Sequence, residues 1–436
     1  MSASSPGEQL HAFAERLYPI CRSITGNGVR RTLRIIGERI PLSINEVPSG
    51  SEAFDWEVPL EWNIEDAWIE APDGKRLAEL GRHNLHIVSY SEPIRATVDL
   101  AALRHHLHTL PAKPDLIPYR TSYYRRQWGF CLSHRDAEAL EPGKYHVVVE
   151  SSLAPGSLTY GECFVPGRST QEVVLFTHVC HPSLANDNTS GMTIATELAA
   201  WLASEPRRFG YRIVFAPGTI GSLCWLRNNE HGLKRIRHGL VIGLLGDPQP
   251  LTYKQSRRGN RDVDRIVPFV LRNLDASSRV IPFEPYGYDE RQLCSPGFDL
   301  PVGRLTRAVN DGYPEYHTSA DDLSLVTPGK LEESLEALKQ IVTALEDDVR
   351  YINMCPKGEP QLGKRGLYGS MGGSSPADAQ RAMLWVLSQS DGHTSLVDIS
   401  AKADLPLASI KQAATQLEAA GLLKQQEDPA PPANEQ

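Results

Sequence analysis

The sequence predicts an α/β protein: a mixed sheet sandwiched by helices, with a β-rich domain inserted into it and a winged-helix domain after it. Three observations predict this. From Lys144 to Leu245, apolar strand-like runs alternate with helical stretches. From about Ile44 to Leu140 the chain is instead rich in Trp, Tyr, Pro and short alternating runs. After a Gly/Ser/Pro-rich stretch from Gly363 to Pro376, three helical patterns precede a short apolar run. A chain of 436 residues is also too long for one typical domain.

Each element follows from local pattern. Glu8 to Ile40 reads as two helices broken at Thr25-Gly26-Asn27-Gly28, with Leu10, Phe13, Leu17 and Ile20 on one apolar face. Trp56-Glu57-Val58 and His86 to Tyr90 read as strands of the insertion, with Asp73-Gly74 as a turn between them. Tyr145–Glu150, Leu158–Val165 and Glu172–Thr177 are strands separated by the turn pairs Pro155-Gly156 and Pro166-Gly167. A helix at Met192–Trp201, a strand at Tyr211–Phe215, a helix around Leu223–Asn228 and a strand at Gly239–Leu245 continue the alternation, which calls for a largely parallel or mixed sheet covered on both faces. Leu331–Tyr351 reads as a long amphipathic helix. Ala377–Ser388, Val397–Ala403 and Ala408–Ala420 form a three-helix pattern, with Gly421 as a stop and Leu422-Leu423-Lys424 as a wing strand. The expected organisation is an α/β domain from residues 1–44 and 141–362, a β-rich insertion at 45–140, a winged helix at 376–428 and a disordered tail at 429–436.

Composition excludes some functions. A net charge of −8 argues against a chain-wide nucleic-acid or anionic-membrane surface. No apolar run spans a bilayer, and the N-terminal stretch has no secretory pattern. Seven scattered cysteines without a CxxC pair fit a reduced, cytoplasmic compartment. Between Pro376 and Asp428, four cations face seven acids, and the candidate recognition helix, Ala408–Ala420, carries only Lys411 and Glu418. DNA affinity rests on neutralising phosphates, so a DNA-binding regulator is disfavoured and a packing or protein-contact role is expected for this region.

The chemistry concentrates in one run. The buried-type strand Val173–Thr177 delivers His178; a short loop with Cys180 and His181 follows; Asp187 precedes a helix that opens at Gly191. Ligands collect at the carboxyl ends of strands in open α/β sheets, and imidazole and carboxylate are suitable zinc ligands. A single His at a strand end is more often a hydrogen-bonded structural residue than a ligand; two His and an Asp within ten residues bring the metal and structural readings level.

This run resembles the zinc aminopeptidases with co-catalytic metals, whose pattern is a strand, His-x-Asp, a short loop, then Asp-Asn-x-Ser-Gly opening a helix. Thr177-His178-Val179-Cys180 and Asp187-Asn188-Thr189-Ser190-Gly191 match its two parts. The resemblance implies His178 as a terminal ligand, Asp187 as a bridging carboxylate, and one or two zinc ions. Cys180 stands where the family has an Asp that orients the imidazole, and His181 is then an extra ligand or a substitute for that Asp. Glu315-Tyr316-His317-Thr318-Ser319-Ala320-Asp321 resembles the family's His-Thr-x-x-Asp stretch and makes His317 a ligand; Asp247, after Leu244-Leu245-Gly246, matches the second-metal Asp, although a turn residue is an equal reading. The family's Glu-Glu pair, one base and one ligand, is replaced here by Gly218-Thr219. Another carboxylate must then act, or the activity is reduced; Glu315 and Glu162 are the acids taken as candidates, with Asp289-Glu290 a further pair. Tyr124, Arg258 and Arg291 are candidates to bind substrate, since aromatic and guanidinium groups suit small anionic ligands, though each also fits plain packing or solvation.

A closer resemblance, over most of residues 5–375, is to an aminopeptidase-like bacterial subgroup associated with polysaccharide or natural-product biosynthesis genes. It is carried by Phe54–Pro59, Asn84–His86, Ile117–Tyr124, Trp128–Cys131 and Asp289–Gln292. It implies a β-rich domain inside the peptidase-like domain and an appended winged helix, and it gives fold and metal better than reaction. The leading expectation is a zinc-dependent hydrolase acting on an amide or peptide bond of a small, amino-acid-like or short peptide-like substrate; no membrane contact is expected, and the protein is a candidate homo-oligomer. The alternatives are a catalytically reduced, metal-containing binding module and the DNA-binding regulator.

Overall fold

A computed structural model describes residues 4–309, 312–367 and 376–426. The expected disordered tail at 429–436 and most of the expected linker lie outside the described residues. The chain divides into two compact units, 1–264 with 277–336, and 265–276 with 337–436.

Among the described residues, the first unit is built on an eight-stranded mixed sheet in the order Ser43–Pro48, Ser157–Val165, Gly210–Ala216, Glu172–His178, Ile236–Ile242, Val302–Thr306, Thr252–Lys254, Arg279–Ile281. The central strands Gly210–Ala216, Glu172–His178, Ile236–Ile242 and Val302–Thr306 run parallel. Every residue of Glu172–His178 is buried. That is why Val173-Val174-Leu175-Phe176 is a continuous apolar run rather than an alternation: both faces are covered. The helix Gly191–Leu202 buries Met192, Ile194, Ala195, Leu198 and Leu202. The helix Pro6–Leu17 opens on a reciprocal Ser5–Glu8 capping box with Pro6 in its first turn, and buries Leu10, Phe13 and Leu17, the face its spacing predicts.

The insertion forms a four-stranded antiparallel sheet in the order Arg76–Glu79, Glu61–Glu70, Lys144–Ala154, Ile94–Asp99. Its boundaries differ from the expected 45–140. Ser43–Pro48 belongs to the large sheet, pairing with Ser157–Val165, whereas Lys144–Ala154 is a central strand of the insertion. The turn at Pro155-Gly156 is therefore where the chain crosses from one sheet to the other. His86–Tyr90 is not a strand: the His83 ring caps the amide of Leu85, a 3₁₀ turn runs over Asn84–His86, and Tyr90 takes a φ of 72°.

In the second unit, the predicted helix to Tyr351 stops at Asp347. Arg350–Asn353 becomes the middle strand of a three-stranded sheet between Asp391–Ser395 and Leu423–Gln425. Tyr351 is buried and Ile352 exposed, a strand period that overrode the helical one. The winged-helix sheet thus begins before the Gly/Ser/Pro-rich stretch, not at residue 376. Helices Pro376–Gln389, Leu396–Ala403 and Leu407–Ala419 enclose Met383, Val386, Ile399, Ile410 and Leu417. Lys411, the one cation of the last helix, is ion-paired with Asp347 at 2.5 Å, leaving that helix no basic face. No helix among the described residues is long and apolar enough to cross a membrane.

Candidate metal centre

Strand Glu172–His178 ends at the carboxyl edge of the sheet and hands His178 to a buried loop. The Nε2 atom of His178 lies 2.7 Å from Oδ1 of Asp187. From far along the chain, His317 brings its Nε2 to 2.9 Å from Oδ2 of the same carboxylate. His181 Nε2 stands 3.9 Å from that oxygen. The ligand atoms of His178, His181 and Asp187 all lie within 4.8 Å of one another. Three imidazoles therefore converge on one carboxylate, and both His178 and Asp187 are buried.

Polar contacts from distant segments fix the loop in this shape. Asp321 accepts from the amides of Asn186 (2.6 Å) and Asp187 (3.1 Å) and from the Tyr313 hydroxyl (2.9 Å). Asn188 donates to Thr177 Oγ1 and to the carbonyl of His178, and accepts from the amide of Leu244, so it ties the loop back to its own strand and to the next. A Cβ on Gly191 would meet Asn188 Oδ1 at 2.3 Å, which explains the Gly of the motif.

Electrostatics favour ligation. Burial pushes the Asp187 carboxyl up, but His181 and the hydrogen bonds from His178 and His317 outweigh it and hold it well below the ordinary range. Burial pushes His181 down to about 3, so its ring is neutral, the form that binds metals. Imidazole and carboxylate are the donors zinc takes, and their burial beside an open pocket is how catalytic zinc sites are built. The residues thus fit zinc.

A pocket of about 380 Å³ opens on the cluster, lined by His181, His317, Cys180, Tyr119, Tyr123, Arg120, Thr121, Gly218, Thr219, Gly287, Tyr288 and Asp289. Aromatic rings brace the ligands. Tyr288 stacks on His178 with centroids 4.5 Å apart and donates to Asp187 Oδ2 at 2.8 Å. Tyr316 stacks on His317 at 3.9 Å, and Tyr119 packs edge-on against it at 5.2 Å. Burial pushes the Asp289 carboxyl up, opposed by His178, the Thr219 amide and the Ser222 hydroxyl.

The structure brings His178, Asp187, His181 and His317 together and leaves the other sequence candidates outside. Asp247 is spent in the core: it accepts from Asn186 Nδ2 (2.9 Å) and from the amides of Gln249 (2.9 Å) and Ala308 (3.1 Å), so it shapes the loop instead of facing an ion. Glu162 sits in strand Ser157–Val165, paired with Arg212 at 2.5 Å and Trp225 Nε1 at 2.7 Å; it is a structural ion pair, not a catalytic acid. Glu315 is half-buried, does not line the pocket, and contributes its backbone carbonyl to Thr318. Tyr124 is exposed and bonds the carbonyl of Glu57, Arg258 is engaged by Asp299, and Arg291 is carried on the short helix after Asp289; none of the three lines the pocket. Cys180 does not orient His178. Its sulfur lies 3.3 Å from Nδ1 of His181, while Nδ1 of His178 is buried without a hydrogen-bond partner. His181 is therefore a member of the cluster and not a stand-in for the orienting Asp.

Sequence reasoning missed Tyr288, Tyr316 and Asp321 as parts of the site. Tyr316 and Asp321 lie in the stretch that supplies His317, and Tyr288 directly precedes the quoted Asp289-Glu290; nearness to those residues was the available signal.

Comparison with known proteins agrees with this fold. A family model described as a domain of unknown function, DUF4910, matches residues 11–348, and a winged helix-turn-helix model matches 349–425. A Clostridium acetobutylicum protein, provisionally named a polysaccharide biosynthesis protein with an aminopeptidase-like domain, is 45% identical over 97% of this chain and 98% of its own. A crystal structure of a provisionally named peptidase from Clostridium acetobutylicum superposes with a TM-score of 0.91 at 44% identity, covering 96% of each chain. A zinc aminopeptidase from Bacillus subtilis shares the fold with a TM-score of 0.57 at 12% identity, covering 79% of this chain and 96% of its own.

Proposed function

Because this chain belongs to the DUF4910 family and carries an aminopeptidase-like fold, we propose that it is a zinc-dependent hydrolase of aminopeptidase type, cleaving an amide or peptide bond of a small amino-acid-like substrate in a biosynthetic pathway. The observation that carries this reading is the convergence of three imidazoles on the buried carboxylate of Asp187 at a sheet edge, facing a pocket. The biosynthetic setting is supported by the name of the Clostridium relative.

His178, His181, His317 and Asp187 would hold the metal. Zinc, when bound, supplies Lewis acidity that polarises a carbonyl and activates water. One ion suits the donor set better than two, because Asp247 is satisfied inside the protein and the Glu pair is absent. The remaining work falls to the chain itself. Asp187 stays ionised and gathers the imidazoles, and Tyr288 fixes its second oxygen. Tyr119, Tyr123 and Tyr288 wall a pocket sized for a small ligand, and the exposed Arg120 at its lining offers a fork for a substrate anion.

A second reading, a metal-containing binding module, is favoured by one observation: Gly218-Thr219 stands where the Glu pair is expected. Metal analysis of the purified protein, followed by turnover on a panel of aminoacyl coumarin amides, tests both. Bound zinc with chelator-sensitive turnover supports the hydrolase. Bound zinc with no turnover supports the module. Protein with no affinity for zinc sinks both.

A further inference from the structure

The segment after strand Gly210–Ala216 carries no acid, yet the pocket beside it contains one. Asp289 is fully buried, and its Oδ1 accepts a 2.8 Å hydrogen bond from the amide of Thr219, the residue that replaces one of the expected acids. Thr219 holds that amide in place at a φ of 63°, a conformation a β-branched residue rarely takes. The other oxygen, Oδ2, is buried and accepts no hydrogen bond of ordinary geometry; the Ser222 hydroxyl beside the carboxyl is committed to the Thr219 carbonyl at 2.8 Å. Asp289 lines the same pocket as Gly218, His181 and His317.

The adjacent acid shows what a structural carboxylate looks like here. Glu290 is equally buried and its Oε1 likewise makes no hydrogen bond of ordinary geometry, but Lys254 stands 2.6 Å from that oxygen and the amide of Tyr288 donates to the other at 3.1 Å. No Lys or Arg pairs with Asp289 among the described residues; the groups that oppose its burial are His178, the Thr219 amide and the Ser222 hydroxyl. Leaving a buried carboxylate oxygen unpaired costs free energy, and a catalytic role is one reason native proteins retain such a group.

We propose that Asp289 is the proton-transfer residue of this pocket, delivered from a distant segment to the place where the acid pair is missing. This rests on the hydrolase reading. In the step, water oxygen bonds to the amide carbonyl carbon while one water proton passes to Asp289 Oδ2; that proton then passes to the amide nitrogen as the C–N bond breaks. The products are a carboxylic acid and an amine, and Asp289 returns to its starting state.

The test uses the full-length, zinc-loaded protein with acetohydroxamate, a chelating ligand that gives up a proton when it binds. Titration calorimetry in two buffers of different ionisation enthalpy counts the protons released. Wild type should retain the proton and release about none; Asp289→Asn, folded and with equal zinc, should release about one per ligand bound. On any amide turned over, kcat should fall about 10²–10⁴-fold with little change in KM, and Asp289→Glu should recover part of the loss. Equal proton release from wild type and Asp289→Asn overturns the assignment. So does loss of zinc in Asp289→Asn, or failure of acetohydroxamate to bind the zinc-loaded wild type. Protein that binds zinc and acetohydroxamate but hydrolyses no amide sinks the hydrolase reading alone, and the difference in proton release still decides the role of Asp289.

Discussion

Two neighbouring strand ends divide this site unequally. Strands Glu172–His178 and Gly210–Ala216 are parallel partners, and His178 stands in register with Ala216. Past the first lies a loop dense with imidazole and carboxylate; past the second lie Pro217, Gly218 and Thr219, with nothing that titrates. Both face the same pocket. The bare loop contributes space and one backbone amide, and through that amide it anchors Asp289, an acid from another segment. Chemistry at a sheet edge is thus pooled among loops, and a strand end that has lost its acid does not imply that the pocket has lost it.

The loaded strand end should be the more sensitive to mutation. Asp187→Ala removes the group that three imidazoles share. Loss of a residue that merely supports a ligand costs about 10–100-fold in metal affinity, so zinc binding should weaken by more than about 100-fold, read by competition with a chromophoric chelator. A fall of less than about tenfold would show that the imidazoles hold the ion unaided and would break the comparison at its strong end. His317→Ala should weaken zinc less than His178→Ala, since His317 is 32% exposed and His178 only 1%.

The asymmetry also explains what could be seen in the sequence. The loaded loop is contiguous: His178, His181 and Asp187 fall within ten residues, at the end of an apolar strand and the start of a helix, so position and chemistry coincide. The parallel core was legible for the same reason, because a strand buried on both faces is a visible apolar run. Asp289 is contacted only through tertiary structure. Nothing in Tyr288-Asp289-Glu290 distinguishes a neutralised acid from an orphaned one, because the difference lies in Lys254, which belongs to another strand. Asp247 failed in the opposite direction. A strand-end Asp looks like a ligand until Asn186 and two backbone amides are seen to use its oxygens. The insertion boundary was missed because Lys144–Ala154 reads equally well as a strand of either sheet, and pairing alone decides.

Moving an acid back to the bare loop sharpens the comparison. A Cβ built on Gly218 meets only Cys180 Sγ at 3.6 Å and His178 Cβ at 3.9 Å, ordinary van der Waals distances, so the first carbon of a side chain is accommodated there. Gly218→Glu introduced into Asp289→Asn should therefore recover about tenfold or more of the turnover lost in the single variant, a part of the 10²–10⁴-fold that a general base supplies. The measurement is kcat of the double variant against the single one at equal zinc content. No recovery, with zinc retained, would mean that the pocket needs its proton acceptor where Asp289 holds it.

The smallest effects are on stability, and they carry opposite signs for paired and unpaired carboxylates. Glu61 is the paired case. Both of its oxygens receive Arg30 at 2.7 Å, and these bonds, helped by the Ser157 amide and Asn63 against the cost of burial, hold its carboxyl down at about 2. Its folded value lies below the ordinary 4.5, so its contribution is fully present above that pH and is lost as pH falls through about 2. Glu61→Gln should lower stability at pH 7 by about 1 kcal/mol, discounted for the pair's partial exposure, and the deficit should vanish in strong acid. Asp289→Asn should do the reverse at pH 7: it removes a buried charge with an unsatisfied oxygen, and stability should rise by about 1 kcal/mol, seen as a higher melting midpoint of the metal-free protein. If Asp289→Asn instead destabilised the protein as Glu61→Gln does, the carboxylate would be a structural element with a partner, and the bare strand end would be bare of function as well.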